Sequence, residues 1–334
     1  MDLFTPIIPI QKQHKNFQLI NSLSMSHTAT VVQSWSNGFP DIDNDFIKEL
    51  QGSFYSSFWK LYLHALFQKF EFRMSWNYSS PDFVIEYNDV DFIVEASTVN
   101  KDHNIELSEW GTEVTAEVID DYLNNMDDYY RYSIIRLSNT FKNSLEEYKS
   151  KYYRLPHIKN KPFVLAIAPF EQPLHDFIYD RAFLALLYDL YVPEEIAKQD
   201  TTLLSNRIPY VSLEYVEKDD ANKIMLGLFN DDSASEISAI IFNHMATVGK
   251  AGYLSEGSGT TQHMWEENRS LVKTINEQEL LEDGLFIFHN PFAKNKLPRE
   301  IFSKNRVCQV FMDKETLTVS KYYGDKHLFT RGVF

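Results

Sequence analysis

The sequence predicts an α/β protein whose second half is rich in strands. Three observations carry that prediction. Residues 45–72, DFIKELQGSFYSSFWKLYLHALFQKFEF, place Phe54, Phe58, Leu61 and Ala65 at spacings of three and four, the period of a buried helical face. Residues 82–97 carry apolar runs on either side of a polar turn, the pattern of a hairpin. KPFVLAIAPF, from Lys161 to Phe170, is an apolar run bounded by Pro162 and Pro169 and reads as a buried strand.

Taken in order along the chain, Thr28 to Val32 is rich in β-branched residues and predicts a strand. Residues 45–72 are one long helix, or a short and a long one jointed at Gly52. After the hairpin, residues 102–128 hold nine acidic residues and no Lys or Arg, as expected of a solvated helix and its connector. Residues 129–153 predict a helix rich in positive charge, and 176–191 an amphipathic helix. Beyond residue 200, strand-like runs at Val211–Val216, Ile237–Phe242, Leu285–His289, Val307–Phe311 and Leu317–Val319 alternate with polar loops. The expected division is therefore a first part over 1–200 and a β-rich part over 201–334, either a separate domain or an extension wrapped on the first.

The chain has 334 residues, of which 44% are hydrophobic, enough for a sizeable core. Cys308 is the single cysteine, so no internal disulfide and no Cys-based zinc cluster forms. A reduced, cytoplasmic setting is expected. The opening MDLFTPIIPIQKQHKNF lacks the basic start and long apolar stretch of a secretion signal, and no run approaches the ~20 apolar residues of a membrane helix. The formal net charge of −15 argues against a general nucleic-acid coating protein. It does not argue against a nuclease, because a bound divalent cation and a local basic groove reverse the sign where it matters.

The hairpin SPDFVIEYNDVDFIVEAST carries one carboxylate on each strand near the same end, Asp82 and Glu95. With a two-residue loop at Asn88-Asp89, Asp82 faces Glu95 directly. With a four-residue loop, Asp82 faces Ser97. Side chains alternate with period two, so both registers put the two acids on one side, and an odd loop would separate them. Directly opposed Cβ atoms lie about 5 Å apart and diagonal ones about 7–8 Å. Either spacing lets two carboxylates share one Mg2+ at about 2.0–2.1 Å per oxygen. Adjacent carboxylates repel unless a cation lies between them or one takes up a proton. Two readings of the pair stand: ordinary strand-edge acids, or joint ligands of one metal.

The helix through Trp59, the two acid-bearing strands, the helix over 131–151 and the strand at 163–168 resemble the core of the PD-(D/E)xK, restriction-endonuclease-like nuclease superfamily. More narrowly, FYSSFWKLYLHALF, SPDF, VEAST, PFVLAIAPF and HNPFAKNKLPREIF look like an uncharacterised bacterial family with this core. The resemblance implies a mixed central sheet flanked by helices, Mg2+ or Mn2+ as cofactor, and hydrolysis of phosphodiester bonds in DNA, in a setting of restriction or phage defence. By position, Asp82 resembles the Asp of the motif and Glu95 its second acid, both ligating the metal. The motif's lysine, two residues after the second acid, is replaced here by Ser97.

Other cations are candidates for that lysine's work. Glu49, Ser53, Ser56, Lys60 and His64 share one helical stripe, from which Glu49 offers an outer metal ligand and Lys60 a relocated lysine. On the later helix Arg131, Lys142 and Lys149, spaced by 11 and 7, share a side and offer phosphate contacts, Lys142 foremost; the alternative is a solvated face paired with Glu146 and Glu147. GYLSEGSGTT, residues 252–261, lacks the GK[ST] ending of a phosphate loop. A membrane is not an expected partner; a second copy of the chain and a defence-system protein are. The competing functions are a catalytically inactive nuclease-fold module that binds nucleic acid or a partner protein, and an unrelated α/β protein whose hairpin acids are surface residues.

Overall fold

Helices α1 (Lys15–Ile20), α2 (Ser26–Trp35), α3 (Phe46–Gly52) and α4 (Tyr55–Lys69) precede the first strand. The computed structural model describes residues 1–41, 44–99, 116–170, 179–195, 210–219, 222–255, 261–268 and 270–332. The strand expected at Thr28–Val32 is helical. Thr28, Val32 and Trp35 are buried at spacings of four and three, so one helical stripe meets α4 and the β-branched preference is overridden. The joint expected near Gly52 is present. Gly52 closes α3, and Phe54 at φ 50° turns the chain into α4, its buried ring stacked 5.2 Å from Phe58. Burial of that ring offsets the cost of a sparsely populated positive-φ backbone, about 1–3 kcal/mol.

Strands β1 (Arg73–Ser75), β2 (Phe83–Tyr87), β3 (Val90–Thr98) and β4 (Phe163–Ala168) form one half of an eight-stranded mixed sheet. Of the remaining strands, β5 (Tyr215–Asp219) and β6 (Asn222–Met225) pair as a separate hairpin, while β7 (Ala239–Asn243) lies beside β4. A third, three-stranded sheet takes β8 (Gln262–Glu267) and β9 (Ser270–Ile275), and the large sheet then takes β10 (Leu285–His289), β11 (Cys308–Met312) and β12 (Val319–Tyr322). Finally β13 (His327–Gly332) joins β8. The large sheet runs β1-β2-β3-β4-β7-β10-β11-β12, so the strands beyond residue 200 extend the sheet that the hairpin begins. Strands β2 and β3 are antiparallel, whereas β3, β4 and β7 are parallel.

Helices α5 (Ala116–Asn124) and α6 (Met126–Ser150) fall between β3 and β4, α7 (Arg181–Tyr188) between β4 and β5, and α8 (Val248–Leu254) after β7. The start of the acidic stretch (102–115), the start of the 176–191 helix and residues 256–260 lie outside the described residues. The run at Val211–Val216 is not one strand. Glu214 at φ 61° interrupts it, leaving Val211 in an isolated bridge to Tyr191 and Tyr215 as the start of β5. The run at Leu317–Val319 starts two residues late, because Leu317 at φ 55° belongs to the preceding turn.

Both faces of the sheet are covered. Phe83, Ile85, Phe92 and Val94 pack with α4, while Val84, Ile93 and Leu165 pack with α6 and α7. Two bonds fix α4 in place. Trp59 Nε1 donates to the Ala166 carbonyl of β4 at 2.9 Å. The Tyr62 hydroxyl donates to the Leu281 carbonyl at 2.9 Å and accepts from Asn243 Nδ2 at 2.7 Å. Behind Tyr62 lies a buried charge network in which Lys250 and Arg331 both meet Glu279, and Lys250 Nζ also donates to the Asp283 carbonyl at 2.9 Å. Lys60 sits between the two anchors, so its position along the sheet is set by residues on both halves of the chain.

Candidate active site

The hairpin register decides how the two acids meet. Tyr87 pairs with Val90 and Phe83 with Val94, so the loop is Asn88-Asp89 and Asp82 falls opposite Glu95. Asn88 lies at φ 53°, a left-handed conformation that Asn tolerates at low cost. Asp82 immediately precedes β2 and reaches across it: its Oδ2 accepts the Ala96 amide of β3 at 2.9 Å. Its Oδ1 meets Lys60 Nζ from α4 at 2.6 Å, with the two side chains 16% and 29% exposed, so water screens the pair only in part.

Glu95 is approached from the α6 side. The Tyr152 hydroxyl donates to its Oε1 at 3.4 Å, while Oε2 is shut off from solvent and has no hydrogen-bond partner among the described residues. Burial pushes the Glu95 carboxyl up to about 8, Asp82 and then Glu147 push in the same direction, and Lys60 opposes them. At neutral pH, with no added cation, Glu95 holds its proton. Burial alone would lower the Lys60 amine, but Asp82, with Glu95 and Glu49 behind it, outweighs that and holds it above the ordinary lysine value. Lys60 is therefore a permanent positive charge, suited to stabilising anions and unsuited to acting as a base.

A divalent cation fits this donor set. Glu95 offers a buried carboxylate oxygen without a partner among the described residues, on a group that burial and the neighbouring Asp82 keep protonated, and a cation there would relieve both. Among the described residues no group of three or more His, Cys, Asp or Glu side chains comes together to enclose a metal. Mg2+ does not need one, since it keeps several waters and binds through one or two carboxylates. Asp82 and Glu95 would hold it.

The other sequence candidates fall as follows. Glu49 is exposed on α3 and lines the same cleft as Lys60 and Asp82. His64 is buried, with Nδ1 on the Trp35 carbonyl at 2.7 Å and its ring against Phe39, so it is a packing residue away from the acids. Ser97 Oγ lies 3.4 Å from Ser144 Oγ of α6 and carries no charge to replace the motif lysine. Arg131, Lys142 and Lys149 are exposed on α6. They spread over about 27 Å of helix at 1.5 Å per residue. Arg131 pairs with Asp128 at 2.8 Å and Lys149 with Glu236 at 3.6 Å. Sequence reading missed Tyr152, and placed Glu147 only as a partner for the basic face of α6. The signal available was the spacing Phe141, Tyr148, Tyr152, which continues the apolar face of α6 past its end and lays Tyr152 along β3.

The chain matches no family model, no curated protein and no solved structure. Among the described residues, no helix is long and apolar enough to cross a membrane.

Proposed function

We propose that the chain hydrolyses phosphodiester bonds in DNA with a bound Mg2+ or Mn2+. The observation that carries this reading is the meeting of Asp82 and Glu95 across the hairpin with the Lys60 ammonium against Asp82. The succession of α4, the β2–β3 hairpin, α6 and β4 adds support, because a helix, an acid-bearing hairpin, a helix and a strand is the order the superfamily resemblance implies. When bound, the cation supplies Lewis-acid charge and a water of lowered pKa. Asp82 and Glu95 would hold it, and Tyr152 holds Glu95 in place. Lys60, fixed by Trp59 and Tyr62 on either side, offers the positive charge that Ser97 lacks and neutralises charge building on the phosphoryl oxygens. Glu49 at the rim orients solvent. Lys142, with Arg131 and Lys149, offers phosphate contacts further along the strand. Restriction or phage defence is the setting this chemistry fits.

A second reading has its own observation. Both oxygens of Asp82 are engaged without a metal, by Lys60 and by the Ala96 amide. On that reading the chain is an inactive nuclease-fold module that binds nucleic acid or a partner protein. Incubating plasmid and single-stranded DNA with wild type, Glu95→Ala and Lys60→Met in Mg2+ and Mn2+ separates the two. Metal-dependent cleavage lost in both variants supports the enzyme, and the same absence of cleavage in all three supports the module.

A further inference from the structure

The cleft that adjoins Asp82 and Lys60 is lined by aromatic rings and by charged side chains in equal measure. Phe39 and Trp76 meet edge to face at 5.7 Å, and Trp76 is half-buried against Phe83. Tyr78 stands at the mouth, 43% exposed, with His157 stacked on one face at 3.7 Å and 9°. His157 Nε2 lies 3.1 Å from the Ser80 carbonyl, two residues before Asp82, so the stacked pair is tied to the strand that delivers the acid. The cleft encloses about 120 Å3. That is less than the roughly 150 Å3 of a closed cavity that accepts benzene, so a planar ring enters this cleft only in part, with the remainder over the exposed mouth, and a bulky group does not enter.

The rim has the opposite character. Asp41, Asp45 and Glu49 line it. Three carboxylates repel phosphate, so a nucleic-acid strand lying here turns its backbone away from the rim and toward Lys60. What enters the cleft is a base. A duplex keeps its bases stacked and presents two rows of phosphate to the same carboxylates, whereas an unpaired base has two free faces for aromatic contact.

We propose that this cleft is a nucleobase site and that the strand served by Asp82, Glu95 and Lys60 is single-stranded. The inference rests on the nuclease-fold reading for the role of the acids, but the cleft itself acts without metal. Its test is therefore binding in EDTA, read by fluorescence anisotropy with a labelled single-stranded DNA oligonucleotide and with the same oligonucleotide annealed to its complement. The single strand binds at least tenfold tighter than the duplex. Trp76→Ala weakens single-strand binding roughly 5- to 150-fold, the range of one stacked base. Trp76 also packs against the core, so Tyr78→Ala, at the exposed mouth, is the paired variant; it weakens binding in the same direction, and Tyr78→Phe restores it. Duplex binding equal to or tighter than single-strand binding overturns the proposal, as does wild-type affinity in folded Trp76→Ala and Tyr78→Ala proteins. Adding Mg2+ to the same mixtures distinguishes the two claims. Single-strand binding without cleavage keeps the base site and removes the catalytic reading. Duplex cleavage unaffected by Trp76→Ala keeps the catalysis and removes the base site.

Discussion

Replacing Glu95 by Gln tests the electrostatics of the site without touching its shape. The Glu95 carboxyl is pushed up to about 8, against about 4.5 for a free glutamate. Its folded value lies above its unfolded one, so between pH 4.5 and pH 8 the folded chain binds one more proton than the unfolded chain. Stability then falls as pH rises through that window, by at most about 1.4 kcal/mol per pH unit, and levels off above pH 8. The residue is only partly buried, which screens the effect, and about 2–3 kcal/mol in all is a fair expectation. Glutamine mimics the protonated form at every pH. Urea denaturation of both proteins between pH 5 and pH 8.5 should show similar stability at pH 5 and a Gln variant about 2–3 kcal/mol more stable at pH 8. Adding Mg2+ at pH 8 should restore wild type and leave the variant unchanged, because only the ionised carboxylate gains a partner. Parallel pH profiles for the two proteins would refute the reasoning, since they would mean that Glu95 titrates alike folded and unfolded.

Lys60→Met should lower cleavage roughly 100- to 1,000-fold, the cost of removing one transition-state charge donor, while tightening Mg2+ binding because Asp82 no longer has a resident cation; initial rates and metal titration read the two effects. Glu279→Gln should cost about 3–5 kcal/mol of stability in urea at pH 7, because it leaves Lys250 and Arg331 buried beside a neutral group. The Glu279 carboxyl is held down to about 2, by Arg331 and Lys250 against the opposing effect of burial. Its contribution is therefore complete above pH 4.5 and lost as pH falls toward 2, so an acid titration of wild type should lose more stability in that window than the Gln variant does. Tyr62→Phe should cost about 1–3 kcal/mol by stripping the Leu281 carbonyl and Asn243 amide of a buried partner, and should loosen the helix that carries Lys60, visible as faster hydrogen exchange along α4.

Local pattern made parts of this molecule legible in the sequence. Period-two alternation was enough to put Asp82 and Glu95 on one side of the hairpin for either even loop, while the choice of the two-residue loop over the four-residue one came only from the structure. The apolar run before Pro169 read as β4, and the three-four spacing around Trp59 read as α4. What the sequence hid was set by distant contacts. Thr28–Val32 read as a strand because β-branched residues favour one by a fraction of a kcal/mol per residue, and packing of Val32 and Trp35 near α4 exceeds that. Strands β8 and β13 escaped notice because their buried positions include His263, Glu266 and His327, polar residues whose burial depends on partners far along the chain, and β9 because none of its residues is buried. In the site, Lys60 was visible as an odd residue on an aromatic helix, but its contact with Asp82 depends on Trp59 finding the carbonyl of residue 166 and Tyr62 that of residue 281. Tyr152 reaches Glu95 only because α6 runs back along β3 before β4 begins.

Titration calorimetry with Mg2+ and Mn2+ at pH 7, run in two buffers of different ionisation enthalpy, addresses the two-carboxylate centre most directly. The account predicts one bound cation with close to one proton released, because Glu95 gives up its proton as the cation arrives, and no binding in Asp82→Ala or Glu95→Ala. Equal heats in wild type and both variants would contradict it.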